Sequence, residues 1–172
     1  MKKKLKLPPD CDPRHYKQSN RGSCGPNAMK RIISYKQGLN ILEQHLINLS
    51  NCSQKNGASV KGIAKIADSF NLDCIQKNNS SISDLINSIN EGNPIILLIQ
   101  AWPDKKIKNW SETWSYGHYI DVLGFDTLEE KIFYYDPYDG KDKEISYKKL
   151  DERWHDKTSK ELYNKFGMFF IN

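Results

Sequence analysis

The stretch Arg21-Gly22-Ser23-Cys24-Gly25-Pro26-Asn27 marks the change from a polar lead-in to a helix. Apolar residues then recur on one face from Ala28 to Tyr35, a spacing that predicts an amphipathic helix, and Gly38 is the residue expected to end it. Proline is well tolerated in the first helical turn, which suits Pro26. The helix is therefore expected to begin beside a cysteine that stands between two glycines.

Outward from this helix, the chain divides into a helical first half and a strand-rich second half. Apolar spacing predicts helices over residues 42–49 and 60–70, and a capping pair formed by Ser81 and Asp84 predicts a short fourth helix through Ile89. Strand-like runs occur at Ile95–Ile99, Tyr119–Phe125, Lys131–Tyr135, Ile145–Tyr147 and Gly167–Ile171. Helices followed by strands indicate an α+β fold with an antiparallel sheet.

Length and composition are those of one domain. The chain has 172 residues, of which 38% are hydrophobic and 11% aromatic, enough for one core. We therefore expect a single domain over residues 1–172, with residues 1–13 as an extended lead-in. No apolar run approaches the roughly 20 residues of a membrane span, and no apolar segment follows the basic start at Met1–Lys4 as it would in a signal peptide. We expect a cytoplasmic monomer without a membrane partner.

The charge distribution argues against a nucleic-acid-binding protein, and the cysteine spacing argues against a zinc-binding one. The net charge is +5, but between Lys141 and Lys149 the lysines alternate with acidic residues, whereas nucleic-acid-binding proteins concentrate basic charge. The four cysteines form no CxxC pair, and Cys11 with His15 lacks a second ligand pair at zinc spacing. We expect reduced thiols, no nucleic-acid partner, no metal and no cofactor.

Cys24 is the candidate nucleophile. A thiol at the start of a helix lies near unpaired backbone N–H groups and the positive end of the helix dipole, which favour the thiolate. The neighbouring glycines are expected to leave room for a substrate backbone. The alternative is a buried cysteine that acts as a small hydrophobic residue.

A thiolate nucleophile needs a base and a group that orients the base. His118 begins one predicted strand, and Asp136 ends the next, so an antiparallel hairpin would make them neighbours. Asp121 falls on the opposite face of its strand from His118, and Asp139 is a reserve candidate for the acid. Gln18, six residues before Cys24, is a candidate donor to an oxyanion, together with the Cys24 backbone N–H.

These motifs resemble a known family in their order along the chain. The order Gln18, Ser23-Cys24-Gly25-Pro26, Gly117-His118-Tyr119 and Asp136-Pro137 is similar to that of papain-like cysteine peptidases of the bacteriocin-processing type, which cleave double-glycine leader peptides. Three further segments are similar to the stand-alone members, namely Asn56–Ser59, Gly92–Ile95 and Arg153–Asp156. The resemblance extends over about residues 14 to 156.

The resemblance implies a papain-like fold in which Cys24 is the nucleophile, His118 the base, Asp136 the orienting acid and Gln18 the oxyanion donor. Ser23 stands where exporter-linked members commonly have Asp, as it does in the stand-alone relatives. The resemblance therefore implies a hydrolase that works by cysteine acyl transfer, and it does not imply a double-glycine substrate.

Aromatic residues lie between the first buried strand and His118. Trp102, Trp114 and Tyr116, together with Gly117, are predicted to contact a peptide or protein substrate; the alternative is that the tryptophans cover the sheet edge. His155 is expected to belong to a packing motif anchored by Trp154 rather than to the site.

The function expected from the sequence is hydrolysis of a peptide or isopeptide bond through a Cys24 thioester. The same machinery serves transpeptidases, amidases and deamidases, since only the acceptor and the leaving amine differ. A papain-like domain that binds without turnover is the other alternative.

Overall fold

The computed structural model describes residues 1–6, 16–101 and 106–171. Its helices are α1 (Cys24–Gln37), α2 (Glu43–Ser50), α3 (Val60–Ser69), α4 (Ile82–Asn90) and α5 (Tyr147–Arg153). Its strands are β1 (Lys2–Lys4), β2 (Cys74–Lys77), β3 (Ile95–Gln100), β4 (Gly117–Asp126), β5 (Lys131–Asp136), β6 (Lys141–Ser146), β7 (His155–Lys157), β8 (Leu162–Asn164) and β9 (Gly167–Phe170). No helix in the described part of the chain is both long and apolar enough to cross a membrane.

An antiparallel sheet organises the molecule. Its strands follow the order β2-β9-β3-β4-β5-β6, while β7 and β8 form a separate pair. One edge of β4 is shared, because β3 pairs with its first part and β1 pairs with its last three residues. The sheet and the preceding helices confirm the α+β class with an antiparallel sheet.

Helices cover both faces of the sheet. On one face, Ile96 and Leu98 of β3 pack with apolar side chains of α1, α2 and α3. On the other face, Ile95 and Leu97 of the same strand pack with α4 and α5. A strand buried on both faces needs apolar residues at every position, which explains the uninterrupted apolar run of β3.

The first helix forms as its sequence predicts. It begins at Cys24 and ends at Gln37, and Gly38 follows in the left-handed region with φ of 68°. A glycine adopts that conformation without a Cβ penalty, so the chain can turn sharply there. The capping box of Ser81 and Asp84 at the start of α4 is also confirmed.

Two expectations about the strands were incomplete. The strand expected at 145–147 is β6, which ends at Ser146; the Ser146 hydroxyl then caps α5 by accepting the Lys149 backbone N–H at 3.3 Å. The lead-in expected over residues 1–13 is partly a sheet strand, since Lys2–Lys4 pairs with Gly124–Asp126 of β4. Residues 7–13 lie outside the described part of the chain.

Candidate active site

Cys24 is the first residue of α1, and it is 8% exposed. The tight turn before it is held by Ser23, whose hydroxyl donates to the Asn20 carbonyl at 3.1 Å. The flanking glycines make room for protein atoms rather than for substrate: a Cβ at Gly22 would collide with the Ser53 carbonyl oxygen, and one at Gly25 would collide with side chains of α3 and β4. This differs from the role expected from the sequence.

The electrostatics around Cys24 favour its thiolate. Burial acts to raise the pKa of the thiol, but the charge of His118 and hydrogen bonds from the His118 ring and from the backbone of Tyr119 and Gly25 act in the opposite direction. The net effect is a pKa below the ordinary value for cysteine. A cysteine nucleophile reacts as the thiolate, so this environment suits nucleophilic chemistry.

His118 and Asp136 are brought together by the β4–β5 hairpin. Asp121 of β4 lies opposite Tyr135 of β5, which places Asp136 beside the start of β4. His118 Nε2 and Asp136 Oδ1 are 2.7 Å apart, so Nδ1 is the ring nitrogen left to face the thiol. Burial acts to lower the pKa of His118, but Cys24 and Asp136 outweigh it and raise that pKa to about 9. The imidazolium is thus the favoured form at neutral pH.

The Asp136 carboxylate is fully buried and has partners on both oxygens. Besides His118, Oδ1 accepts the Tyr138 backbone N–H at 3.0 Å, and Oδ2 accepts a bond from Lys143 Nζ at 2.7 Å. Burial acts to raise the pKa of Asp136, yet these bonds and the charge of His118 hold it below its usual range. Asp139 contacts Lys143 at 2.9 Å, so this carboxylate faces the lysine.

Lys143 is a site residue that the sequence analysis missed. It lies in β6, opposite Tyr134 of β5, and its role depends on the pairing of a third strand with the hairpin. The only sequence signal was its place in an alternating run of basic and acidic residues, which indicates a solvated strand as readily as a buried ion pair.

Gln18 reaches the site by a backbone contact with the segment after Asp136. Its backbone N–H donates to the Pro137 carbonyl at 2.8 Å. Its side-chain Nε2 donates to the Asn20 carbonyl at 2.7 Å, which uses one of the two N–H groups of the amide. Its Oε1 is buried with no hydrogen-bond partner in the described part of the structure. Gln18 therefore lies next to both the nucleophile turn and the Asp136 turn.

A cleft of about 950 Å³ opens beside Cys24. Trp114 and Gly117 line it, as does the loop between α2 and α3, whereas Tyr116 is not among its lining residues. The Tyr116 backbone instead closes the preceding loop, because its carbonyl accepts the Ala101 N–H at 2.9 Å. Trp102 lies outside the described residues.

One wall of the cleft is built around Asp156 and Gln100, which the sequence analysis did not select. Gln100 Nε2 donates to Asp156 Oδ1 at 2.8 Å, and Gln100 Oε1 accepts the Tyr116 backbone N–H at 2.9 Å. A Cβ at Gly117 would collide with the Asp156 carboxylate. These contacts fix the residue that precedes His118 against the wall.

His155 has the structural surroundings expected of a packing residue. Its Nε2 lies 2.8 Å from the Thr113 carbonyl, and its ring centroid is 4.4 Å from that of Trp114. The neighbouring Trp154 is 1% exposed and donates from its indole N–H to the Phe166 carbonyl at 2.9 Å.

Asp121 is a further buried acid near the site. Both of its carboxylate oxygens are buried without a hydrogen-bond partner in the described part of the chain. Burial raises its pKa well above the usual value, against the opposing charges of Arg31 and His118. Among the described residues, no group of three or more His, Cys, Asp or Glu side chains is arranged to hold a metal ion; Cys11 and His15 lie outside them.

Comparison with known proteins identifies the family. The model of the Peptidase_C39 like family matches residues 12–163. The chain belongs to the C39-like peptidase family. This confirms the resemblance drawn from the sequence motifs, and it makes the chain a cysteine-peptidase-like domain. No sequence among the curated proteins matches the chain.

Solved structures share the fold of this C39-like domain. The peptidase domain of Streptococcus ComA, a bifunctional ABC transporter of a quorum-sensing pathway, is 17% identical, with a TM-score of 0.64 over 91% of this chain and 96% of that one. A putative C39-like peptidase from Bacillus anthracis is 13% identical, with a TM-score of 0.66 over 99% and 98% of the two chains. A double-glycine-motif protease from an AMS/PCAT transporter, solved with a leader peptide, is 14% identical, with a TM-score of 0.63 over 98% and 94%.

Proposed function

We propose that this C39-like domain is a cysteine peptidase that hydrolyses a peptide or isopeptide bond. The Cys24 thiolate attacks the carbonyl carbon of the scissile bond, and the His118 imidazolium transfers its proton to the leaving amine. A thioester to Cys24 remains. Water then attacks the thioester carbonyl while neutral His118 takes its proton. Collapse of the intermediate releases the carboxylic acid and the Cys24 thiolate, which restores the thiolate–imidazolium pair.

The other site residues act on charge and orientation. The Asp136 carboxylate holds Nε2–H of His118 and stabilises the imidazolium, while Lys143 keeps Asp136 ionised. The Cys24 backbone N–H and the second N–H of Gln18 Nε2 are the donors that we assign to the oxyanion.

The observation that carries this proposal is a continuous chain of polar contacts that ends at a cleft. Lys143, Asp136, His118 and Cys24 follow one another, each interacting with the next, and the thiol at the end lines a cavity large enough for a peptide. The opposing pKa shifts of Cys24 and His118 are those of a thiolate–imidazolium pair. A purely structural cysteine gains nothing from such a pair. The leader peptide bound to the AMS/PCAT relative supports a peptide as the substrate class.

A peptide library prepared from a whole proteome provides the test, because it assumes no cleavage site. Wild-type protein and single variants are incubated with the library, and new termini are identified by mass spectrometry. We expect Cys24→Ala to lose all cleavage, His118→Ala to lose about a thousandfold or more, and Asp136→Asn to lose less than His118→Ala.

Matched variants separate chemistry from folding. His45→Ala removes an exposed histidine, and Asp139→Asn removes the other carboxylate that contacts Lys143; each is expected to retain activity within about threefold. Far-ultraviolet circular dichroism reports whether each variant is folded. Cleavage by Cys24→Ala at the wild-type rate refutes the proposal, and so does equal loss in Asp139→Asn and Asp136→Asn.

A further inference from the structure

Basic charge is unevenly distributed along this chain. Nine Lys or Arg residues but only one acidic residue, Glu43, lie between positions 13 and 67, in a chain whose net charge is +5. The remainder of the chain is therefore net acidic. This basic segment contains Cys24 and supplies the α2–α3 side of the cleft.

The cleft concentrates that charge next to the thiol. Among the residues that the structure describes, one acidic residue, Asp156, and five basic residues line it; the basic residues are Arg21, Lys55, Lys61, Lys65 and Lys157. In the part of the chain that the structure describes, the salt bridges involve other residues, and none joins a carboxylate to these five side chains. A cleft with walls of one sign concentrates ligands of the opposite sign.

Two carboxylates in this part of the molecule have hydrogen-bond partners of their own. Asp156 is bonded to Gln100, and its carboxylate lies against Gly117. Glu43 accepts bonds from Ser19 at 3.0 Å and from the Asn27 side chain at 3.1 Å. The positive charges on the α3 side are thus left without neutralisation by these carboxylates.

Two of the lysines stand together on one face of α3. Lys61 and Lys65 are four residues apart, and both are exposed. Like charges at this spacing repel each other in a helix, and an anionic group bound between them relieves the repulsion. The pair therefore gains from an acidic ligand.

We propose that the α2–α3 side of the cleft selects acidic peptides, with Lys61 and Lys65 binding Asp or Glu side chains close to the scissile bond. This proposal rests on the peptidase function proposed above and adds the substrate class. A peptide is favoured over a nucleic acid because the basic residues line the same cleft as Cys24, in a domain of a peptidase family.

A binding experiment with the Cys24→Ala variant tests this selection without requiring turnover. Two fluorescein-labelled peptides of about twelve residues are compared by fluorescence anisotropy; they are identical except that one carries Glu where the other carries Gln. We expect Glu-peptide binding to be about tenfold tighter at low ionic strength and the difference to shrink at about 0.5 M salt. Equal affinities at low salt overturn the proposal.

A charge-reversal pair locates the effect. Lys61→Glu with Lys65→Glu is expected to abolish the preference for the Glu peptide and to leave Gln-peptide binding within about twofold. The control is Lys148→Glu with Lys149→Glu, which makes the same change in net charge at exposed positions of α5 and should retain the preference. If the control pair removes as much of it, general attraction explains the binding and the proposal fails.

Two further outcomes separate this inference from the peptidase function. Wild-type protein that cleaves the proteome-derived library without enrichment of Asp or Glu near the cut sites overturns the inference and leaves the peptidase function standing. If wild-type protein cleaves nothing although Cys24→Ala binds the Glu peptide selectively, the peptidase function fails. A single-stranded oligonucleotide that displaces the Glu peptide and binds more tightly than it does identifies a nucleic-acid site instead.

Discussion

Selective alkylation of Cys24 follows from the different environments of the thiols. Burial, the Cys24 thiolate and Glu43 raise the pKa of Cys52 to about 11, while burial and Asp68 raise that of Cys74 to about 12. The pKa of Cys24 lies below the ordinary value. With iodoacetamide at neutral pH, we therefore expect Cys24 to react before Cys52 and Cys74.

The size of the preference can be bounded from these values. At pH 7, a pKa of about 11 leaves about 0.01% of Cys52 as thiolate. A cysteine with the ordinary pKa of 9.0 is about 1% ionised, and the lowered pKa of Cys24 makes its thiolate fraction larger than that. A more basic thiolate is intrinsically more reactive, so a Cys52 thiolate reacts about tenfold faster than a thiolate whose pKa is two units lower. The net preference is at least about tenfold over Cys52 and, by the same argument, about 30-fold over Cys74.

Peptide mass spectrometry of the folded protein, with limiting reagent and several reaction times, measures these rates. Cys24 is buried while Cys52 and Cys74 are both half-buried, so a preference for Cys24 reflects ionisation rather than access. His118→Ala should remove the preference, and His45→Ala should retain it. Labelling of Cys24 no faster than that of Cys52 and Cys74 refutes the thiolate–imidazolium pair.

Three further predictions concern the charges around the site. In the peptidase assay, kcat/KM should rise with pH as Cys24 ionises and fall again above about pH 9, where His118 loses its proton; a profile still rising at pH 10 contradicts this. Lys143→Gln should lower kcat/KM about three- to tenfold, because it removes the cation that contacts the acid of the proposed triad. Lys141 is an exposed residue of the same strand, β6, and Lys141→Gln should change kcat/KM by no more than about twofold. Equal losses in the two variants would show a general effect of surface charge. Asp121→Asn should raise Tm at pH 8. Burial raises the pKa of this acid in the folded protein, so wild-type stability falls as pH rises above the pKa of an unfolded aspartate, near 4. The gain in Tm should therefore vanish towards pH 4, and a gain independent of pH argues against a buried, protonated carboxyl.

The elements with a strong local pattern were predictable from the sequence. The apolar face of α1 and Gly38 after it specify a helix and its end, and the uninterrupted apolar run of β3 specifies a strand buried on both faces. The short β1 and β2 were not predictable, because Lys2–Lys4 and Cys74–Lys77 lack a strand pattern of their own. Each becomes a strand by pairing with an existing edge, β1 with β4 and β2 with β9.

Some features of the candidate site could likewise be predicted from the sequence, and others could not. Cys24 at a helix start and the proximity of His118 to Asp136 follow from local rules, since a hairpin determines which residues of its two strands are neighbours. The cleft wall at Gln100 and Asp156 could not be predicted in this way. Nothing in the sequence around either residue indicates that the two side chains form a hydrogen bond.

The sequence by itself determined the helix that carries the thiol, the hairpin that carries the imidazole and its acid, and the family. Those features depend on periodicity, caps and turns, whose effects extend over a few residues. Only the tertiary structure decided that Lys143 supports Asp136, that the glycines beside Cys24 admit protein atoms, and that basic residues from separate segments meet in one cleft. These depend on how helices and sheet bury their apolar faces against one another, and polar residues distant in sequence are brought together as a consequence of that packing.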